Sequence, residues 1–270
     1  MNWEKITDEV KRIANEAAMF IRNERESFNQ DRIEQKAKND LVSYVDKTSE
    51  KIIVDRLKEI LPEAGFITEE GYETKRSDWN WIIDPLDGTT NFIHGIPSYA
   101  VSIGLENKGL IKLGVVHEVS RGEVFSAIQG NGAFLNGSKI FVSEVSEYKD
   151  SLIATGLPVN NFSRMQAYLN TLEFFMRNTH GVRRIGAASV DLCYLACGRV
   201  DAFYEFNLSP WDVAAGSLIA QEAGAKVSDF NFGDHFLFGR EIMAANTAFY
   251  EEFATLISKE FSSDFRDDSH

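Results

Sequence analysis

The chain has 270 residues, 44% of them hydrophobic, so it is long enough to bury a large core in one domain or two. Acidic residues outnumber basic residues by 41 to 28, which gives a net charge of −13. Proteins that bind nucleic acid usually have a basic surface, and this composition does not indicate one. No run approaches the roughly 20 apolar residues of a membrane-spanning helix. The start does not resemble a secretory signal, and only two cysteines are present, so we expect a cytoplasmic protein that binds neither nucleic acid nor membrane.

The first 150 residues begin with two amphipathic helices and continue as a β-rich region. The helices are indicated by apolar residues at helical spacing, and the later strands by alternating apolar residues punctuated by Gly and Asn. The predicted elements are helices from Trp3 to about Phe28 and from about Tyr44 to Leu61, short strands over 66–68 and 81–83, and β-hairpins from Tyr99 to about Val142.

Strands and helices alternate in the remaining 120 or so residues. The predicted elements are a strand over 151–155, helices over 165–177 and 189–197, a strand over 201–204, a helix over 213–223, and closing segments over 241–245 and 250–258. The pattern predicts a mixed α/β or α+β fold in which mixed sheets are sandwiched between helices. We expect two α/β halves, 1–150 and 151–270, that form one compact catalytic unit.

The most informative segment, residues 81–92, has the sequence WIIDPLDGTTNF. A β-type run brings Asp84 to its end, and Asp87 follows three residues later, so both carboxylates can face one cation. Gly88 lets the backbone approach a ligand, and the free amides of a helix that begins here would bind phosphate oxygens. Each acid alone could be a helix cap or a turn former. Their succession with Gly and two Thr residues favours a metal and phosphate site.

Three further acids stand where predicted strands or helices meet loops. Glu69 and Glu70 end the short run over 66–68, and Asp212 begins an apolar helix of the second half, where on its own it would be an N-cap. Oxygen ligands of this kind suit magnesium, which binds few carboxylates plus water and substrate phosphate. The excess of acidic residues therefore has two explanations, a solubilising surface or carboxylates that converge on metal ions.

These motifs resemble the inositol monophosphatase family. Residues 81–92 match its first motif and 211–216 match its second, while 40–46 and 183–205 resemble the bacterial branch of the family. The likeness covers about residues 5–260. It implies a layered αβαβα sandwich of the metal-dependent carbohydrate phosphatase type, two or three Mg²⁺ ions and a homodimer.

The resemblance also implies a role for each matched position. The residues implied to bind the first magnesium ion are Glu69, Asp84 and the carbonyl of Leu86. Those implied to bind the second are Asp84, Asp87 and Asp212, and Glu69 could share a weaker third ion. The residues implied to carry out catalysis are Asp46, Glu69 and Thr89, of which Thr89 and Asp46 would orient and deprotonate the attacking water. The residues implied to bind the substrate are Asp87, Gly88, Thr89, Ala188, Glu205 and Asp212.

The implied reaction is hydrolysis of a phosphate monoester by metal-activated water without a phosphoenzyme, with inositol monophosphate giving inositol and phosphate. Metal ions can activate water and stabilise both the phosphate and the departing alkoxide, so no Cys or His nucleophile is needed. The metal motifs alone leave open 3′-phosphoadenosine 5′-phosphate, histidinol phosphate or a sugar bisphosphate as substrate, although Glu205 favours a polyol. A metal-binding interaction protein without turnover is a further alternative.

The chain departs from the family pattern around its first acidic pair. Thr68 and Gly71 stand where relatives often have Gly and Ser, and the loop over 71–80 is shorter than in many of them. Either Lys36 or Lys38 could match a loop lysine of the family. The resemblance implies inhibition by lithium, and this loop bears on how strong the inhibition is.

Overall fold

The computed structural model describes residues 1–28, 33–37, 40–73, 75–159 and 161–263, with side chains omitted at 33–42 and 263. The helices of these residues are α1 (Trp3–Glu26), α2 (Tyr44–Ile60), α3 (Thr89–His94), α4 (Met165–Asn178), α5 (Ala188–Ala196), α6 (Pro210–Glu222) and α7 (Tyr250–Ser263). The strands are β1 (Ile33–Ala37), β2 (Asp40–Ser43), β3 (Gly65–Thr68), β4 (Trp79–Asp87), β5 (Ala100–Asn107), β6 (Leu110–Glu118), β7 (Glu123–Ile128), β8 (Ala133–Leu135), β9 (Ser138–Ile140), β10 (Ile153–Thr155), β11 (Val182–Arg183), β12 (Ala202–Phe206), β13 (Ala225–Ser228) and β14 (Glu241–Asn246).

Two large sheets organise the chain. The strands of the first sheet run in the order β3-β4-β5-β6-β7-β8-β9, parallel between β3 and β4 and antiparallel thereafter. The second has the order β11-β10-β12-β14-β13, with β10 parallel to both of its neighbours and the remaining pairs antiparallel. All strands of the first sheet precede residue 150, and all strands of the second follow it.

The two sheets lie between layers of helices, and three hydrophobic cores fill the space between the layers. Side chains of α1 and α2 pack on one face of the first sheet. Helices α5 and α6 are buried between the two sheets, and α4 and α7 cover the outer face of the second sheet. The layers therefore follow the order αβαβα, which confirms the predicted fold class.

The strands that bound the site alternate between cores, as the two-residue period of a β-strand requires. Ile82 of β4 packs in the central core, whereas Trp81 and Ile83 face the outer helices α1 and α2. Similarly, Phe203 of β12 enters the central core, while Tyr204 packs beneath α4 and α7. Both sheets are thus covered on both faces, which explains why their strands have few polar residues.

Small residues let α6 approach the first sheet closely enough to carry its acid to the site. A Cβ atom at Gly114 would lie 2.7 Å from the Ala215 carbonyl oxygen, and one at Gly104 would lie 3.2 Å from Ala214 Cβ. Contacts below about 3 Å are not tolerated, so Gly114 is required for this packing. The close packing of α6 on the first sheet holds Asp212, two residues before Ala214, beside the end of β4.

The structure corrects several predicted boundaries. The paired strands Ile33–Ala37 and Asp40–Ser43 were not predicted, because no clear apolar alternation marks them in the sequence. Strand β4 does not stop at Asp84 but continues to Asp87. Helix α6 begins at Pro210, ahead of the apolar run that predicted it.

Other expectations concern single features. Among the described residues, no helix has the combination of length and apolar character needed to cross a bilayer. Cys193 is buried and Cys197 is partly exposed; both are free, and burial raises the pKa of each thiol. The two candidate loop lysines remain predictions, because Lys38 and the side chain of Lys36 lie outside the described residues.

Candidate active site

The candidate site begins at an irregularity in β4. Its pairing with β5 is regular up to Asp84 and shifts before Asp87. In a regular strand, side chains three positions apart point to opposite faces, so this shift is what allows both acids to lie together. The Leu86 amide donates a 3.0 Å hydrogen bond to Asp84 Oδ1 and fixes the turn. Gly88 follows with φ of 87°, a conformation that favours glycine, and caps α3.

Asp46 and Asp212 occupy equivalent positions in two different helices. Each is the third residue of its helix and forms a capping box with the N-cap serine. The Ser43 amide donates to Asp46 Oδ2 at 2.8 Å, and the Ser209 amide donates to Asp212 Oδ2 at 2.6 Å. Asp212 therefore stands at the third position of its helix and not at the N-cap, the purely structural alternative considered for it. One oxygen of each carboxylate anchors the helix, and the other remains available to the site.

Two aspartates of β4 and one from the distant helix α6 converge. Single carboxylate oxygens of Asp84, Asp87 and Asp212 all lie within 4.8 Å of one another. Burial raises the pKa of Asp84 well above its usual value, and the charge of Glu69, which hydrogen-bonds to it, raises that pKa further. Burial and the neighbouring Asp87 raise the pKa of Asp212 to about 7. This concentration of negative charge is unfavourable without a proton or a cation.

Thr89 links the start of α3 to Asp46. Its Oγ1 lies 2.8 Å from Asp46 Oδ1 and 3.0 Å from the Leu86 carbonyl oxygen, so the hydroxyl proton can be donated to either. Asp46 is fully buried, and burial raises the pKa of its carboxyl despite hydrogen bonds from Ser43 and Thr89 that lower it. A buried carboxylate behind a hydroxyl is suited to receive a proton. The carbonyl of Leu86, near the end of β4, lies beside the same Thr89 hydroxyl.

The predicted substrate residues of the second half lie next to this cluster. Ala188 is buried at the start of α5, and Glu205 lies near the end of β12. Burial raises the pKa of Glu205 to about 8, the charge of Asp212 adds to the effect, and Arg184 opposes it. The charges of Asp212 and Asp87 thus act on Glu205 across the boundary between the two halves.

Several contributing residues were not identified from the sequence. Ser189 donates to Asp87 Oδ2 from both its amide, at 2.8 Å, and its Oγ, at 2.5 Å. Asn91 Nδ2 donates to the Ile185 carbonyl at 2.9 Å and joins the first motif to the loop before α5. Burial raises the pKa of Asp87 and of Glu205, and the positive charge of Arg184 partly offsets the rise in both. Ser189 could have been identified from the sequence, because it stands at a predicted helix start. Nothing in the sequence indicates the long-range contact of Asn91.

The pattern that defines the Inositol monophosphatase family matches residues 2–262. The chain belongs to the inositol monophosphatase family.

Individual relatives also match most of the chain. Nus factor SuhB of Pseudomonas aeruginosa is 44% identical over 231 residues, which cover 83% of this chain and 85% of that protein. The extragenic suppressor protein suhB of Bartonella henselae superposes with a TM-score of 0.89 at 37% identity, covering 94% of this chain and 99% of that one. The inositol monophosphatase of Anabaena gives 0.85 at 30% identity, covering 96% and 97%.

Membership in the inositol monophosphatase family supports a phosphatase with a metal-binding site, and the aspartate cluster is able to hold a cation. It also accounts for the layered fold, which the solved structures share.

Proposed function

We propose that this protein is a magnesium-dependent phosphatase that converts inositol monophosphate to inositol and phosphate. The observation that carries the proposal is the convergence of Asp84, Asp87 and Asp212 within 4.8 Å, beside the hydrogen-bonded pair of Thr89 and Asp46. Chelation of a cation and removal of a proton from water are the two requirements of metal-assisted phosphate hydrolysis.

The oxygen-only donor set fits magnesium. Asp84, Asp87 and Asp212 are buried or partly buried acids whose mutual repulsion a divalent ion would relieve. We propose that Glu69, Asp84 and the Leu86 carbonyl hold one ion, that the three aspartates hold a second, and that Glu69 contributes to a third. Bound Mg²⁺ would neutralise phosphate charge and make a water molecule more acidic.

Side chains of the protein would accept the proton that the attacking water releases. We propose that Thr89 Oγ1 accepts a hydrogen bond from the attacking water while it donates its own proton to Asp46 Oδ1, 2.8 Å away. Asp46 is held for this role because both the amide and the hydroxyl of Ser43 donate to its other oxygen, at 2.8 and 2.7 Å. Glu69, which hydrogen-bonds to Asp84, would hold the cluster in place during the reaction.

The phosphate and the alcohol would be held by different groups. Amides of the first turn of a helix have no acceptor within that helix, so those of Gly88 and Thr89 would bind phosphate oxygens. We propose that Asp87, Ala188, Glu205 and Asp212 contact the alcohol, with Glu205 accepting hydrogen bonds from its hydroxyl groups. A polyol supplies such hydroxyls, which favours inositol over the alternative substrates.

A phosphate-release assay tests this proposal. The purified chain would be given inositol 1-phosphate, 3′-phosphoadenosine 5′-phosphate, histidinol phosphate, fructose 1,6-bisphosphate and p-nitrophenyl phosphate, each with and without magnesium. We expect the highest kcat/KM with inositol 1-phosphate and none without magnesium. A higher value for another substrate would reassign the specificity, and no release from any would refute the phosphatase proposal.

The proposal also includes the assembly of the site. The halves 1–150 and 151–270 would act as one catalytic unit, because Asp84 and Asp87 come from the first and Asp212 and Glu205 from the second. A homodimer is the expected state, and sedimentation equilibrium would test it.

A second role is favoured by one observation, the name Nus factor carried by a relative that is 44% identical. We propose that the chain also interacts with transcription factors, independently of turnover. Co-purification of Nus factors with both the wild type and the Asp87→Asn variant would support this role. If neither the wild type nor the Asp87→Asn variant retains Nus factors, the second role is wrong.

A further inference from the structure

We propose that Gly156 determines the substrate specificity of this site, because the absence of a side chain there creates the space in which the Glu205 carboxylate lies. This inference rests on the proposed function, since it assigns a role in hydroxyl recognition to Glu205. Gly156 would not bind the metal or the phosphate itself; it would act by positioning Glu205.

The geometry of the two residues is close. Gly156 follows directly on β10, which pairs in parallel with β12, the strand that carries Glu205. A Cβ atom at Gly156 would lie 1.7 Å from Glu205 Oε1, 1.9 Å from Cδ and 2.2 Å from Oε2. All three distances are far below van der Waals contact. The carboxylate therefore occupies the volume that any other residue at 156 would fill.

The backbone around Glu205 cannot move away to relieve such a clash. On one side, the carbonyl of Tyr204 lies 2.7 Å from Thr155 Oγ1, which hydrogen-bonds to it. On the other, the Phe206 amide donates to Tyr168 Oη at 2.6 Å. With the strand fixed from its buried side, a side chain at 156 would force the Glu205 carboxylate to rotate out of its place.

Backbone strain does not complicate this argument. Gly156 is not among the described glycines with positive φ, so alanine is compatible with its backbone conformation. The effect of Gly156→Ala should therefore arise from the added methyl group and its contact with Glu205.

A double-mutant cycle tests the inference, with Gly156→Ala, Glu205→Ala and the double variant assayed on inositol 1-phosphate and p-nitrophenyl phosphate. We expect Gly156→Ala to lower kcat/KM for inositol 1-phosphate roughly threefold to a hundredfold, the range for losing a hydrogen bond to a neutral or a charged carboxyl group. The rate with p-nitrophenyl phosphate, which has no hydroxyl groups to recognise, should change less than about threefold. In the Glu205→Ala background, where the carboxylate is gone, adding Gly156→Ala should change neither rate by more than about twofold.

Equal losses on the two substrates, or losses that multiply in the double variant, would overturn the inference. If Gly156→Ala is unstable by itself, recovery of the melting temperature in the double variant supports it, and no recovery overturns it. A crystal structure of Gly156→Ala separates this inference from the proposed function. A displaced carboxylate supports the positioning role even in a protein without phosphatase activity, and an unmoved one refutes it.

Discussion

Replacing Thr89 with valine tests the proton path directly. Valine keeps the shape of the side chain but removes the hydroxyl that joins Asp46 to the site. Asp46 Oδ2 would retain both bonds from Ser43, whereas Oδ1 would lose the 2.8 Å bond from Thr89. We expect the variant to fold and to lose catalysis.

The magnitude follows from the burial of the acceptor. Asp46 is 0% exposed, so water cannot replace the lost donor. An unsatisfied buried acceptor costs about 1–3 kcal/mol, which corresponds to a decrease of a few degrees in Tm for a chain of this size. Because the hydrogen bond from Thr89 lowers the pKa of Asp46, its removal raises that pKa further. Loss of positioned proton transfer should lower kcat by roughly 10²- to 10⁴-fold.

The assay measures kcat for phosphate release at saturating magnesium and substrate, with Tm recorded on the same samples. Thr89→Ser is the matched control, because it keeps the hydroxyl and removes only a methyl group. We expect Thr89→Ser to retain most of the activity. If Thr89→Val stays within about threefold of the wild type, or if the serine variant is equally impaired, the hydroxyl does not carry the proton.

Three further predictions concern the acidic groups. Asp87→Asn should lower kcat/KM at least roughly a hundredfold, or about 2.7 kcal/mol, in a magnesium titration, while the exposed Asp8→Asn control stays active; near-normal activity of the first variant would refute the metal assignment. Lithium at millimolar concentration should inhibit uncompetitively in steady-state assays if Asp84, Asp87 and Asp212 form a cation site, and unchanged rates would contradict this. In chelator, thermal melts should show stability falling as pH rises from about 4.5 to 8, because folded Glu205, with its pKa raised to about 8, retains a proton that the unfolded chain releases. Glu205→Gln should flatten this slope, and an identical slope would show that other groups cause it.

Local chemistry made the first motif predictable from sequence. Two acids, a glycine and two threonines in succession have few purely structural explanations, so the sequence alone is enough to propose a metal and phosphate site at residues 81–92. The layered fold was also predictable, because apolar periodicity distinguishes helices from strands and the family resemblance supplies their order. The unpredicted strands Ile33–Ala37 and Ala225–Ser228 have only five and four residues, so their sequences give too short a pattern to identify a strand.

The geometry of the site was decided by the tertiary structure. Sequence spacing could not show that the strand continues past Asp84 with a shifted register, because the shift depends on pairing with β5. Nor could it show that Asp212 caps its helix from the third position while it also joins Asp84 and Asp87.

The sequence by itself identified the candidate metal and phosphate residues, because that choice depends on the chemical nature of side chains and on short-range turns. Only the tertiary structure decided which distant residues support them. Ser189 meets Asp87 across 102 positions, and Gly156 makes room for Glu205 across the pairing of two strands. Such contacts have no local signature, since they arise where helices and sheets pack and are set by the space that neighbouring side chains leave.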